Sequence, residues 1–192
     1  MRRSLGTLLP GNQLRVVDPE TGEALAVGED GELLVRGPTL MERYLGRTRD
    51  ECFDADGWFH TGDIGHVDEA GEVHWIGRRT EMIKTGGANV SPAEIEVQLR
   101  AFPGVRLARV IALPDPSLDQ IVVLCVEPVA GADCDISSIR EFLRERIASY
   151  KVPKRVEVFG PGEIPMTAGG TKVLDDALRA LVLARTDAAG VR

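Results

Sequence analysis

An α+β fold is predicted for this chain: a small β-rich subdomain followed by a compact α+β domain with a short central sheet and flanking helices. Three observations carry the prediction. Up to about Gly77, apolar and polar residues alternate between turn-forming clusters, the period of strands with one buried face. Beyond Glu81, two strand-length apolar runs are interleaved with stretches of helical period. Near the start of this second region, Ser91-Pro92-Ala93-Glu94 has the signature of a helix start.

Taken in order, the residues from Gln13 to Asp18 alternate, Pro19-Glu20-Thr21-Gly22 supplies a turn, and the run from Glu32 to Gly37 alternates again, so two short antiparallel strands are expected. Residues 38–56 place apolar groups at roughly helical spacing interrupted by Gly46, which predicts short helices and loop. Asp63 to Asp68 and Glu72 to Gly77 flank Glu69-Ala70-Gly71 as a hairpin. Ser91 and Glu94 can then satisfy each other's backbone amides as a capping box, with Pro92 at the first helical position and Val90 against Ile95 as a hydrophobic staple. Ile95, Leu99 and Phe102 share a face, and Pro103-Gly104 ends that helix.

Leu107 to Leu113 and Ile121 to Val126 read as strands joined by a turn at Pro114-Asp115-Pro116, the second apolar throughout and so buried on both faces. Ile136, Ile139, Phe142, Leu143 and Ile147 mark a helical face capped by Asp135 and ended before Val152-Pro153. A strand from Arg155 to Phe159, a glycine-rich loop and a last helix with Leu174, Leu178, Leu181 and Val182 on one side complete the order. The expected division is residues 1–77 as β-subdomain, 78–81 as hinge, 82–185 as α+β domain and 186–192 as a frayed tail.

Composition narrows the function. Lysine and arginine total 23 against 30 acidic residues, a net charge of −7 without any long basic stripe, which argues against nucleic acid or anionic membrane as partners. The 43% hydrophobic content is enough to bury a core. No run reaches the ~20 apolar residues of a membrane span, and the start lacks the apolar region of a secretion signal, so a cytoplasmic protein is expected. Cys52, Cys125 and Cys134 are odd in number and irregularly spaced, which fits thiols, with Cys125 in the core. His60, His66 and His74 are strand-spaced without neighbouring cysteines and read as ordinary surface residues, so no metal site is expected.

Four places carry candidate chemistry. Asp63 in a tight Thr61-Gly62-Asp63 turn could accept two hydrogen bonds from adjacent hydroxyls such as a ribose diol, or simply cap the turn. Arg78 at a strand end offers a planar fork to phosphate, or is a surface arginine. Gly86-Gly87 allows close approach to the backbone ahead of a helix, or is a plain turn. Lys172 ends a glycine-rich loop but is followed by Val173 where a phosphate-binding P-loop needs serine or threonine, which argues against that motif.

The order of four blocks changes these odds: Gly57-Trp58-Phe59-His60-Thr61-Gly62-Asp63; Gly77-Arg78 with the run Met82 to Glu96; Ala148-Ser149-Tyr150-Lys151-Val152-Pro153-Lys154-Arg155; and Pro165-Met166-Thr167 to Lys172. In this order they resemble the carboxy-terminal portion of the adenylate-forming superfamily of acyl-CoA synthetases, adenylation domains and luciferases, and most of all an AMP-forming acyl-CoA synthetase. The resemblance implies that Asp63 binds the ATP ribose hydroxyls, that Arg78 contacts ribose and phosphate, and that Lys172 orients the carboxylate attacking the α-phosphate. It further implies a hinge at Thr80, a Gly86-Gly87 loop that swings in to line the pantetheine tunnel, and a Tyr150 and Lys154 that meet the adenine and phosphates of CoA. ATP, Mg2+ and CoA are the implied cofactors, with Mg2+ held mainly by the amino-terminal domain.

Two departures stand out. Thr80 occupies a position that is usually aspartate or lysine, and Ala168-Gly169-Gly170-Thr171-Lys172 is one residue longer than the usual loop, with its order reversed. The family's phosphate loop, adenine motif and acyl pocket do not occur in these residues, so the chain is expected to be a carboxy-terminal portion that is inactive alone and acts with an amino-terminal domain in cis or in trans. The alternatives are an adenylation-domain portion serving a carrier protein and a non-catalytic lid that docks on a separate amino-terminal half. The run Glu81 to Glu96 is most like that of fatty or medium-chain acyl synthetases.

Overall fold

Alternation in the first part builds an antiparallel sheet of five strands. The computed structural model describes residues 3–132 and 134–190, and the chain divides into two units between Glu81 and Met82. The amino-terminal unit comprises β1 (Arg3–Thr7), β2 (Gln13–Val17), β3 (Gly31–Arg36), β4 (Phe59–Val67) and β5 (Glu72–Arg78), in the order β1-β5-β4-β3-β2. Val17, Leu34 and Trp58 form its small core cluster, and the Arg15 and Arg36 guanidinium carbons lie 4.6 and 4.5 Å from the Trp58 ring centroid. The β4–β5 hairpin turns at Asp68, whose Oδ1 accepts from the amides of Ala70 and Glu72.

The structure departs from the sequence reading of this unit at three places. Residues 38–56 form turns and bends without a helix: Gly46 has φ +80°, and Tyr44 and Leu45 are exposed, so no apolar stripe meets a core. Strand β1 has no signal in the sequence, because Arg3-Ser4-Leu5-Gly6-Thr7 has little alternation and pairs only as an edge on β5. Thr61-Gly62-Asp63 is not a tight turn but lies inside β4. There Glu32 faces Ile64 while Leu34 faces His60, so Leu33 alone stands opposite these residues and the strand bulges, with Gly62 at φ +70°.

The carboxy-terminal unit contains β6 (Ile83–Thr85), β7 (Ala88–Val90), α1 (Pro92–Leu99), β8 (Val105–Asp115), β9 (Asp119–Pro128), α2 (Ile136–Arg144), β10 (Arg155–Val158) and α3 (Asp175–Gly190). Strand β9 is central: β8 pairs antiparallel along it, and β10 pairs parallel through Val123–Val126. Its apolar run serves both faces. Val122, Leu124 and Val126 join Ile95, Leu99, Ile139 and Leu143 from α1 and α2, while Val123 and Cys125 join Phe159, Ile164, Leu178 and Val182 on the α3 side.

Helix α1 starts as expected, with the Ser91 hydroxyl accepting from the Glu94 amide at 3.4 Å, and Asp135 caps α2 through the amides of Ser137 and Ser138. The β8–β9 strands run past Pro114, and the chain reverses at residues 116–118. In α3 only part of the expected stripe is buried: Leu178 and Val182 are inside, whereas Leu174 and Leu181 are largely exposed because a single sheet face receives the helix. Backbone helix continues through Gly190, and the last two residues of the expected frayed tail lie outside the described residues.

Candidate functional site

In the amino-terminal unit the β4 bulge presents Asp63 directly across from Arg78, the last residue of β5. One oxygen of the Asp63 carboxylate is engaged: Oδ1 accepts from the Trp75 indole Nε1 at 3.0 Å and forms an ion pair with Arg78, whose Nε lies 3.0 Å away. Arg78 Nη1 donates to the Thr61 carbonyl at 2.8 Å, and the Thr61 hydroxyl donates to the Leu33 carbonyl at 2.7 Å while accepting from the Asp63 amide at 3.0 Å. Among the described residues this leaves Asp63 Oδ2 and Arg78 Nη2 without protein partners. An acceptor and a charged donor thus stand side by side, oriented by their own strand pair.

Sequence reasoning missed two contributors. Trp75 orients the carboxylate from a neighbouring strand. Glu32, at 3% exposure, accepts from the Gly62 amide at 3.2 Å and from Arg79 Nη1 at 3.0 Å. The available signal was an acid heading the apolar run Leu33-Leu34-Val35, where burial demands a distant partner. Thr80 lies in a 3-10 turn, Arg79–Glu81, that follows directly on β5.

Of the three histidines His60 is exposed as expected, whereas His66 and His74 are not surface residues. His66 is buried and stacks on His74 at 4.9 Å, with Asp30 against His66 Nδ1 and Asp68 against His74 Nε2. Hydrogen bonding to His74, then to the Glu72 amide, holds the Asp68 carboxyl below its usual range. Asp68, Glu72 and His74 come within 4.8 Å of one another. Both Asp68 oxygens are already engaged, Oδ1 by the Ala70 and Glu72 amides and Oδ2 by His74, which does not suit the open oxygen cage that Mg2+ takes.

In the carboxy-terminal unit Gly86 and Gly87 form the two-residue tip of the β6–β7 hairpin, with φ of +56° and +79°, and the Gly86 amide donates to the Leu118 carbonyl at 3.0 Å. This is a strand turn one short strand, β7, ahead of α1's cap, not the helix start itself. Lys172 sits on a second tight reversal. Met166 bridges Val173, the Thr167 amide donates to the Lys172 carbonyl at 2.8 Å, and the Gly170 amide donates to the Thr167 carbonyl at 2.8 Å. The extra residue of the loop is absorbed in its tip, residues 168–171. Lys172 leaves opposite Thr167 with its side chain exposed, while Val173 turns into the core.

The segment after Lys172 is anchored at Asp175, the first residue of α3, whose two oxygens accept from Arg109 Nε and Nη2. Arg109 Nη1 also reaches Glu96 at 3.3 Å. The Arg109 hydrogen bond lowers the Asp175 carboxyl below its usual range. Tyr150 lies half exposed in the 3-10 turn Ser149–Lys151; Lys154 is exposed, and its carbonyl accepts from Arg140. Between them Lys151 Nζ grips both Glu94 oxygens at 2.9 and 2.6 Å, fixing this turn to the start of α1. Asp63 and Arg78 are therefore brought together, whereas Lys172, Gly86-Gly87 and Tyr150 with Lys154 occupy separate loops of the second unit.

Comparison with known proteins places this geometry. The AMP-binding enzyme family matches residues 1–45, and the AMP-binding enzyme C-terminal domain matches residues 94–171. The chain belongs to the adenylate-forming AMP-binding enzymes. Within that family it is similar to CoA ligases: it is 40% identical over 167 residues to a feruloyl-CoA synthase of Amycolatopsis, covering 86% of the chain and 33% of that enzyme. Indoleacetate–CoA ligase of Aromatoleum aromaticum is 40% identical, with 95% of the chain and 35% of the enzyme covered. Among solved structures, ATP-bound MatB from Rhodopseudomonas palustris superposes with a TM-score of 0.77 at 36% identity, over 93% of the chain and 35% of that protein. The MenE enzyme of Bacillus subtilis with its acyl-adenylate intermediate gives a TM-score of 0.79 at 28% identity, over 92% and 35% of the two chains. The chain thus spans about a third of the length of the relatives it matches.

Proposed function

We propose that this chain is the carboxy-terminal portion of an ATP-dependent acyl-CoA synthetase, which converts a carboxylate and ATP to an acyl-adenylate and pyrophosphate and then passes the acyl group to CoA. The observation that carries the reading is Asp63: one oxygen is hydrogen-bonded to Trp75 and ion-paired with Arg78, while the other accepts no protein hydrogen bond among the described residues. That is the arrangement a ribose diol needs, two hydroxyl donors meeting one oriented anion, with Arg78 Nη2 beside it for a phosphate or ribose oxygen.

In the first step a carboxylate oxygen bonds to the α-phosphorus as the bond from that phosphorus to the bridging oxygen breaks, and pyrophosphate leaves. Two anions must approach each other. The Lys172 ammonium, carried on a hairpin whose register is fixed at Thr167, offsets that repulsion and holds the attacking oxygen in line. In the second step the CoA thiol, as thiolate, attacks the acyl carbon and AMP leaves. The Gly86-Gly87 tip, which has no side chain to block a thin pantetheine arm, suits that step, and Tyr150 and Lys154 suit the nucleotide end of CoA. Thr80 is the proposed pivot between the two steps. Magnesium supplies charge neutralisation on the triphosphate. The described carboxylates offer no open oxygen set for it, so we assign the ion to the amino-terminal portion of the enzyme.

The test joins the chain in frame to the amino-terminal portion of a matched relative such as the Amycolatopsis feruloyl-CoA synthase. Carboxylate-dependent exchange between ATP and pyrophosphate is expected in the joined enzyme, and Asp63→Ala is expected to raise its KM for ATP about tenfold or more, the worth of a charge-assisted hydrogen bond. An unchanged KM for ATP in Asp63→Ala overturns the assignment.

A further inference from the structure

We infer that Glu32 is a positioning residue: its buried carboxylate ties the bulge that carries Asp63 to Arg79, the residue before Thr80, and so fixes the amino-terminal end of the pivot. The inference rests on the nucleotide reading of Asp63 given above. Glu32 is the acidic side chain that the amino-terminal unit buries, at 3% exposure. Each oxygen has its own partner, both distant in sequence. Oε1 accepts from the Gly62 amide at 3.2 Å and Oε2 from Arg79 Nη1 at 3.0 Å, with His60 Nδ1 a further 3.6 Å from Oε1. Arg79 Nη1 also lies 3.4 Å from the Pro19 carbonyl, so the arginine is held by this unit twice.

The consequence follows from the cost of leaving a buried carboxylate unpartnered, which is greater than the gain from any one of its bonds. If the bulge flattens, Gly62 withdraws from Oε1, and Asp63, the next residue, loses its register against Trp75 and Arg78. If Arg79 moves off, Oε2 is stripped. Glu32 therefore resists both movements together, and a torsional change about this segment falls on Thr80 and the residues after it. A neutral side chain at position 32 could keep the first link but not the charged second one. That asymmetry separates positioning from mere packing.

The experiment compares the 192-residue chain, uniformly labelled with 15N, as wild type, Glu32→Ala and Glu32→Gln. In Glu32→Ala the Gly62 amide is expected to exchange about tenfold faster relative to the His66 and His74 amides of the β4–β5 ladder; in Glu32→Gln, whose amide oxygen still accepts, the ratio stays within about threefold of wild type. A ratio unchanged in Glu32→Ala, or an acceleration shared equally by the whole ladder, overturns the inference. In the joined enzyme Glu32→Ala is expected to raise KM for ATP about tenfold with kcat of adenylation changed less than about threefold. Glu32→Gln is expected to leave that KM near wild type while slowing thioester formation from supplied acyl-adenylate severalfold. Asp63→Ala is measured alongside. If it raises KM for ATP and Glu32→Ala does not, the role of Glu32 is lost; if it does not, the nucleotide reading fails and the exchange data alone judge Glu32.

Discussion

At the scale of single residues, the separation of Lys172 from the Gly86-Gly87 tip, each on its own hairpin, predicts a division of labour. In the joined enzyme Lys172→Ala should lower ATP–pyrophosphate exchange by about two to three orders of magnitude, the usual worth of a charge placed on a reacting oxyanion. Thioester formation from supplied acyl-adenylate should remain within a few fold of wild type; equal loss in both assays would contradict the assignment. Cys125 gives a second residue-level outcome. Burial pushes its thiol up to about 12, so in native protein at pH 8 it should resist an aromatic disulfide reagent that modifies the partly exposed Cys52, and should become reactive on unfolding. The candidate site was legible where its residues lie close in sequence, as with Thr61-Gly62-Asp63 and Arg78. Trp75 and Glu32 were not, because their roles arise from strand pairing and a bulge that no local pattern encodes.

At the scale of elements, two short devices carry the second unit's loops. A side chain at Gly86 would need a left-handed backbone and would meet Leu118 Cδ2 at 3.2 Å, so Gly86→Ala should cost about 1–2 kcal/mol by chemical denaturation. The Arg109–Asp175 pair that starts α3 predicts a pH dependence. Because the folded carboxyl is lowered, its contribution is complete above the unfolded carboxylate range near pH 4 and fades as pH falls through the lower folded value. Asp175→Asn should therefore destabilise this unit by on the order of 1 kcal/mol at pH 7, and the gap should close toward pH 2. A gap constant with pH would contradict the charge-based account. The elements most legible beforehand were those with their own caps or uniform apolar runs, α1, α2 and β9. Residues 38–56 misled because helical spacing without a core to receive it does not make a helix, and β1 was invisible because an edge strand needs only a partner.

At the scale of the whole molecule, the chain divides into two compact units and spans about a third of the length of the feruloyl-CoA synthase and indoleacetate–CoA ligase it resembles. Among the described residues no helix is long and apolar enough to cross a membrane. The 192 residues alone should show no carboxylate-dependent ATP–pyrophosphate exchange above background, since the sequence contains no triphosphate loop; measurable exchange by the isolated chain would refute this. The division also has an optical consequence. Both tryptophans belong to the first unit, Trp75 in β5 and Trp58 in the core cluster just before β4, and α1, α2 and α3 all lie in the second. Indole fluorescence therefore watches one unit and far-ultraviolet ellipticity at 222 nm mainly the other. Against guanidinium the emission should shift first, because its core cluster is the smaller, with ellipticity lost at higher denaturant. Without any added label, the chain reports separately on each of its two units.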